Sequence, residues 1–396
     1  MREPLYLFLI LCVSTFLLMC GVHTISISYD EANIFFNGSN AVHYIALYST
    51  KIFGQNDLAL RAPFIVLHLL SIIILYKIGK LILKRRLDRI LSVAIYALLP
   101  GVNSVALFVN SGSLVIFFTL LFVYLYMREF KISAYLVLIV SLFIDNSFAI
   151  LYVALFFYAL FNHKKEMLAL TFILFSCSMY LYGYDTGGKP KGYFLDTVGV
   201  YAIIFSPFLF LYFVYALYRI LIKEEKNILW YISFFSLLFS LMLSLRQKLL
   251  LEDFAPFVVL AIPLMIKVFF NSYRVRLPQF RKYHNFFFSF VIITLLCNTG
   301  LSFLNQPLYT LMRNPSKHFA IKYHIAKELA EELKKRGISK VNVKDDKMAL
   351  RLKFYGIESD DSYRLINHKE VDGYQEKIDI IYYGVKVETF YLYHIS

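Results

Sequence analysis

Residues 5–22 read LYLFLILCVSTFLLMCGV, an unbroken run without a charged side chain. As a helix this run rises about 27 Å, close to the roughly 30 Å thickness of a bilayer's hydrocarbon core. Arg2 precedes it and no small-x-small cleavage site closes it, so it reads as a retained first span rather than a signal peptide. The pattern recurs along the chain. Apolar runs near 5–24, 58–83, 90–108, 113–127, 132–144, 147–162, 167–184, 199–222, 228–245, 254–270 and 285–304 predict about eleven transmembrane helices. Bulk composition agrees: 396 residues are 59% hydrophobic and 17% charged, with a mean hydropathy of +0.60, outside the range of a water-soluble domain.

The formal charge of +14 raises the question of a nucleic-acid partner, and the placement of the basic residues answers it. KLILKRRLDR, REFK, HKKE, YRILIKEEK and NSYRVRLPQFRK fall at alternate short loops, as in cytoplasmic connections under the positive-inside rule. The charge reports orientation, with no nucleic acid implied. It predicts an inner-membrane protein with a cytoplasmic N-terminus, and an odd span count puts the C-terminus outside. Cys12, Cys20, Cys177 and Cys297 lie in apolar runs without metal-ligand spacing and read as lipid- or core-facing residues.

Short turns, VNSGS and IDNS, join consecutive spans into hairpins. The expected outer face therefore carries residues 25–57, residues 185–198 and the stretch RQKLLLED at 246–253. The DTGGKPKGYFLD loop at 185–196 lacks the strand-loop-helix setting of a phosphate-binding loop and reads as a flexible lid or plain connector. Beyond residue 304 the composition changes. HFAIKYHIAKELAEELKKRGI has helical period and ends at Gly337, while KVNVKDD, LRLKFYGI and KIDIIYYGVKVETFYLY read as strands. The expected organisation is a transmembrane domain over 1–304 and a small α/β extracytoplasmic domain over 305–396.

Asp30 and Glu31 stand just past the first span, ahead of the amphipathic stretch ANIFFNGSNAVHYIALY, which reads as an interfacial helix. An acidic pair there could hold a divalent metal, or one carboxylate could act as general base with its pKa tuned by the other. The plainer alternative is helix capping by Asp30 and a favourable macrodipole contact. Arg61, which opens the second span, is either a phosphate ligand or a snorkelling residue. Arg246 and Lys248 run against the positive-inside trend, which favours a functional role, while Glu252 and Asp253 beside them could equally neutralise them as a surface ion-pair cluster. His43 reads as a packed side chain or an accessory group, and Asp145 as a turn residue or an accessory acid.

The order YDEA, an amphipathic loop, then TKIFGQNDLALRAPFIVLHLL resembles the first two spans of GT-C membrane glycosyltransferases. The similarity is to the protein O-mannosyltransferase and lipid A aminoarabinose transferase branch, where a DE pair precedes an FG…R-x-P entry to the second span. The resemblance implies an all-α polytopic GT-C-like fold and a sugar donor linked to polyprenyl phosphate. It implies a lipid, glycan or protein acceptor met at the outer face, with Asp30 and Glu31 catalytic and Arg61, Arg246 and Lys248 holding the donor phosphate. This sequence lacks the KPPL-type motif after the acidic pair, where SNAVHYIALY stands, and carries Ser111 where such enzymes often have a second aspartate. Rival readings are a transporter or flippase for lipid-linked saccharides and a catalytically silent assembly protein.

Overall fold

The computed structural model describes residues 3–183, 192–360, 363–367 and 374–394. Most of the anticipated 185–196 loop thus lies outside the described residues.

The chain opens with α1 (Glu3–Thr24), α2 (Tyr29–Asn37), α3 (Ala41–Phe53) and α4 (Asp57–Ile82). There follow α5 (Arg86–Leu98), α6 (Pro100–Leu107), α7 (Gly112–Met127), α8 (Lys131–Ser141), α9 (Phe148–Phe161) and α10 (Lys165–Tyr182). Then come α11 (Phe194–Phe205), α12 (Pro207–Lys223), α13 (Ile228–Ser244), α14 (Ala255–Val258), α15 (Ile262–Val275) and α16 (Pro278–Phe303). Every predicted span coincides with one of these helices or with a consecutive pair. Among the described residues, four spans are long and apolar enough to cross a membrane alone: α1, α4, the stretch Ala255–Val275 and α16. Two more cross if each bent pair counts once. The 90–108 run is α5 and α6, bent by 59°, and the 199–222 run is α11 and α12, bent by 104°. The second bend sits at Ser206, whose φ is +79°, followed by Pro207 at the first turn of α12. Proline there has no N–H to continue the preceding ladder, so the helix restarts in a new direction.

The remainder comprises α17 (Ala326–Lys335), β1 (Asn342–Val343), α18 (Asp346–Phe354), β2 (Tyr363–Ile366), β3 (Glu376–Tyr382) and β4 (Val385–His394). LRLKFYGI, read above as a strand, is instead the end of α18. Asp345 caps that helix by accepting from the Lys347 N–H (3.1 Å), and Arg351, Leu352 and Phe354 are buried. The sheet has the order β1-β2-β4-β3, with β1 parallel to β2 and the other pairs antiparallel. Tyr383 and Gly384, both at positive φ, form the two-residue hairpin turn. Gly337 takes φ +74° after α17, as a helix C-terminal glycine does.

Two compact units partition the chain. The first comprises Met1–Phe16, Phe64–Ala106 and Asn110–Thr299. In it α9 packs on α10 and α13, α5 on α15, and α12 on α11 and α15. Trp230 is enclosed, its indole N–H donating to the Leu217 carbonyl (3.0 Å). By contrast α16 leaves Phe286, Phe287, Phe290 and Ile293 exposed, as a lipid-facing helix does. The second unit comprises Leu17–Pro63, Leu107–Val109 and Gly300–Ser396. Here α18 packs on α2 and α17, and Leu329, Leu333, Leu352, Ile378, Ile380 and Leu392 form the core.

Candidate functional site

The acidic pair lies in the first turn of α2, and its two members face opposite environments. Ser28, not Asp30, is the N-cap. Its Oγ accepts from the Glu31 N–H (3.2 Å), and Glu31 Oε2 accepts from the Ser28 N–H (2.9 Å), a reciprocal capping box. Glu31 is only 1% exposed, and Asp30 is exposed to solvent. Successive residues in a helical turn diverge by about 100°, so one carboxylate turns inward and its neighbour outward. Among the described residues Asp30 makes no hydrogen bond and no ion pair.

Arg61, fully enclosed, meets Glu31 as a fork. Nε donates to Oε1 (3.0 Å) and Nη2 to Oε2 (2.9 Å). The Val109 N–H adds a fourth bond, to Oε1 (3.1 Å), so the carboxylate has its full complement of donors. Burial opposes ionisation of Glu31, but Arg61 and the two backbone N–H groups outweigh it and hold its pKa below the usual carboxylate range. The other guanidinium bonds go to the carbonyls of Ile25 (2.8 Å) and Ser26 (3.2 Å). With each of its three guanidinium nitrogens engaged and no exposure, Arg61 clamps residues 25 and 26 to Glu31.

A second buried arginine grips the same segment. Arg351 donates to the Ile27 carbonyl (2.7 Å), the Ser26 hydroxyl (3.0 Å) and the His324 carbonyl (2.8 Å). The Ile27 N–H donates to the Tyr355 hydroxyl (2.8 Å), which donates in turn to Asp57 (2.7 Å). The Ser26 N–H donates to the Tyr323 carbonyl (2.9 Å). Residues 25–28, which lead into the helical turn that bears Asp30, are thus tied along both edges. Sequence reasoning missed Arg351, Tyr355 and Asp57; a charged residue inside an apolar, strand-like stretch was the available signal for Arg351.

His43 is half-buried. Its Nδ1 lies 2.9 Å from the Ile34 carbonyl and its N–H donates to the Asn40 cap, so it ties α3 to the end of α2. Gly38 permits that closure, because a Cβ there would stand 2.9 Å from the His43 Cβ and 2.3 Å from the Ile34 oxygen.

The other candidates belong to the first unit. Arg246 and Lys248 are exposed after α13, and neither makes a side-chain hydrogen bond or ion pair among the described residues. Asp145 accepts from the Ser147 N–H (3.0 Å), a side-chain-capped turn. Asp253 is affected by Asp145: burial, then the charges of Asp145 and Glu252, push its carboxyl up to about 7. Asp253 therefore sits in an acidic setting, and no ion pair joins it to Arg246 or Lys248 among the described residues. No group of three or more His, Cys, Asp or Glu able to hold a metal occurs among the described residues.

Residues 39–182 match the dolichyl-phosphate-mannose-protein mannosyltransferase family. The matched stretch contains His43, Arg61 and Asp145 but not the acidic pair. The curated proteins offer no match. Among solved structures, the chain is similar to ArnT from Cupriavidus metallidurans in the apo state, with 9% identity, a TM-score of 0.60, and coverage of 99% of this chain and 98% of that one. Identity this low speaks for the fold alone. The chain is a multi-pass membrane protein with the ArnT-like GT-C fold and a small C-terminal sheet.

Proposed function

We propose that the chain is a membrane glycosyltransferase that moves a sugar from a polyprenyl-phosphate-linked donor to a lipid, glycan or protein acceptor at the outer face of the cytoplasmic membrane. The observation that carries this reading is the division of labour in the acidic pair. Glu31 is consumed by the capping box and the Arg61 fork, and Asp30 stands exposed and, among the described residues, without a partner, on a backbone held from both sides. A general base needs this kind of fixed, open carboxylate.

In the proposed reaction the acceptor hydroxyl gives its proton to Asp30 as its oxygen attacks the anomeric carbon. The bond from that carbon to the phosphate oxygen breaks, and the lipid phosphate leaves with the electron pair. A positioned carboxylate supplies roughly 10²- to 10⁴-fold by such proton transfer. For the leaving phosphate we propose Arg246 and Lys248, which are exposed and pair with no acid among the described residues. Residues 305–396 are placed outside the cytoplasm in this reading, in keeping with the alternating loop charges.

The test is whether protein purified in nanodiscs releases polyprenyl phosphate from a polyprenyl-phosphate sugar when acceptor extract is added. Release that depends on the protein supports the reading. Movement of the intact donor between leaflets without release would replace it with transport.

A further inference from the structure

The second unit holds a cavity of about 550 Å³ that lies apart from Asp30. It falls within the roughly 300–1,000 Å³ range of small-ligand sites. One wall is a face of α17, where Lys327, Glu331 and Lys334 recur at helical spacing around Ala330. The opposite walls are Val22 and His23 from the end of α1, Gln55 to Leu58 at the start of α4, and Phe354 to Gly356 from the end of α18.

Its floor is built in advance. Asp57 is buried, accepting from the Tyr355 hydroxyl (2.7 Å) and pairing with Lys327 (3.2 Å). Gln55 donates to the Phe354 carbonyl (2.6 Å), which fixes its amide; among the described residues its oxygen accepts no hydrogen bond. Above the floor Glu331 and Lys334 are exposed, and neither has a hydrogen bond or ion pair among the described residues.

The lining chooses between ligand classes. Two lysines are balanced by two carboxylates, so a phosphate placed here would meet Asp57 and Glu331 as well as the ammonium groups. A hydrocarbon chain would strip water from four charges without replacing their hydrogen bonds. Sugar hydroxyls each donate and accept, which suits alternating ammonium, carboxylate and amide groups, and the carbon face of a pyranose suits Val22, Leu58 and Ala330.

We infer that this cavity binds an uncharged saccharide portion of the acceptor, held by Lys327, Glu331, Lys334 and Gln55 over the Asp57–Tyr355 floor. As an acceptor site it rests on the reading of Asp30 as the base. Helix α18 connects the two places: Lys347 at its start lies 5.4 Å from the ring of Tyr29, the neighbour of Asp30, and its end lines the cavity. From Lys347 to Tyr355 is about 12 Å at helical rise, so the cavity would grip a sugar unit set back from the reacting hydroxyl.

The test is equilibrium binding of uncharged di- and trisaccharides of glucose, galactose, mannose and N-acetylglucosamine to the full-length protein in nanodiscs. Parallel titrations use Glu331→Ala, Lys334→Ala and the control Lys335→Ala, which replaces a residue outside the lining. Binding of at least one saccharide, weakened about 10-fold by each of the first two changes and unaltered by the control, is the expected result. Absence of binding by the whole panel overturns the inference. So does binding indifferent to both lining changes, or tighter binding of a phosphorylated saccharide that depends on Lys334 alone. The same titration on Asp30→Asn keeps the two questions apart, because a saccharide site survives that change whether or not Asp30 proves to be the base.

Discussion

Replacing Arg61 by Met tests the clamp that holds the exposed acid in place. Methionine preserves much of the volume but deletes both bonds to Glu31 and the bonds to the Ile25 and Ser26 carbonyls. Glu31 then keeps only the Ser28 and Val109 N–H groups for a carboxylate that is 1% exposed. Stranding one partner of a buried pair costs about 3–5 kcal/mol. At roughly 2–4 °C per kcal/mol for a unit of this size, the melting temperature should fall on the order of 10 °C. Glu31→Gln should cost a similar amount by stranding the arginine. The double change Glu31→Leu with Arg61→Met should cost less than the sum, because no charge is left buried. The pH dependence has a definite sign. The folded pKa of Glu31 lies below its unfolded value near 4.5, so its stabilisation is complete above that value and is lost as pH falls through the folded pKa. The assay is thermal melting in nanodiscs across pH 3–8. A single Arg61→Met protein that melts within about 2 °C of the parent would refute the clamp.

Three further outcomes follow from the other candidates. Changing Arg246 and Lys248 together to Gln should weaken binding of a polyprenyl-phosphate sugar and make the remainder less sensitive to salt; unchanged binding would leave the two as surface charges. Burial and the charges of Asp145 and Glu252 raise the folded pKa of Asp253 from 3.8 to about 7, so it makes the protein less stable as pH rises from about 4 towards 7. Asp253→Asn should flatten that decline, and an identical melting profile from pH 5 to 8 would count against the acidic cluster. A reporter active only in the cytoplasm, fused after Ser396, should be silent, and a strong signal would reverse the orientation.

The helices were legible because their signal is local. Each apolar run coincides with a helix or a consecutive pair, but of the eleven anticipated spans only four among the described residues, or six with each bent pair counted once, are long and apolar enough to cross a membrane. The 104° break at Ser206 was invisible to hydropathy, which sums composition and is blind to direction, although Pro207 marks the place. LRLKFYGI misled because apolar and basic residues alternate there with period two. The helix prevails because Asp345 caps it and because its buried cation, Arg351, finds its acceptors in residues 26, 27 and 324.

The site was legible as a pair of acids and no further. That Glu31 rather than Asp30 would turn inward depends on Arg61, thirty residues on, and on the Val109 N–H, seventy-eight residues on. Neither separation leaves a periodic trace. Ser28 followed three residues later by Glu31 is a capping-box pattern in the sequence, and it would have assigned the cap away from Asp30. The cavity over Asp57 had no local signature, since its walls come from four separate segments of the second unit.

The central claim is that Asp30 takes the proton in sugar transfer, and the Asp30→Asn protein tests it most directly. The cap belongs to Ser28 and the buried ion pair to Glu31, so the change leaves every described hydrogen bond of the first turn in place. Transfer from a polyprenyl-phosphate sugar should fall by at least about 10²-fold, the lower range for a lost general base, while the melting temperature and membrane insertion stay at parental values. Near-normal transfer by Asp30→Asn, at parental stability, would contradict the account.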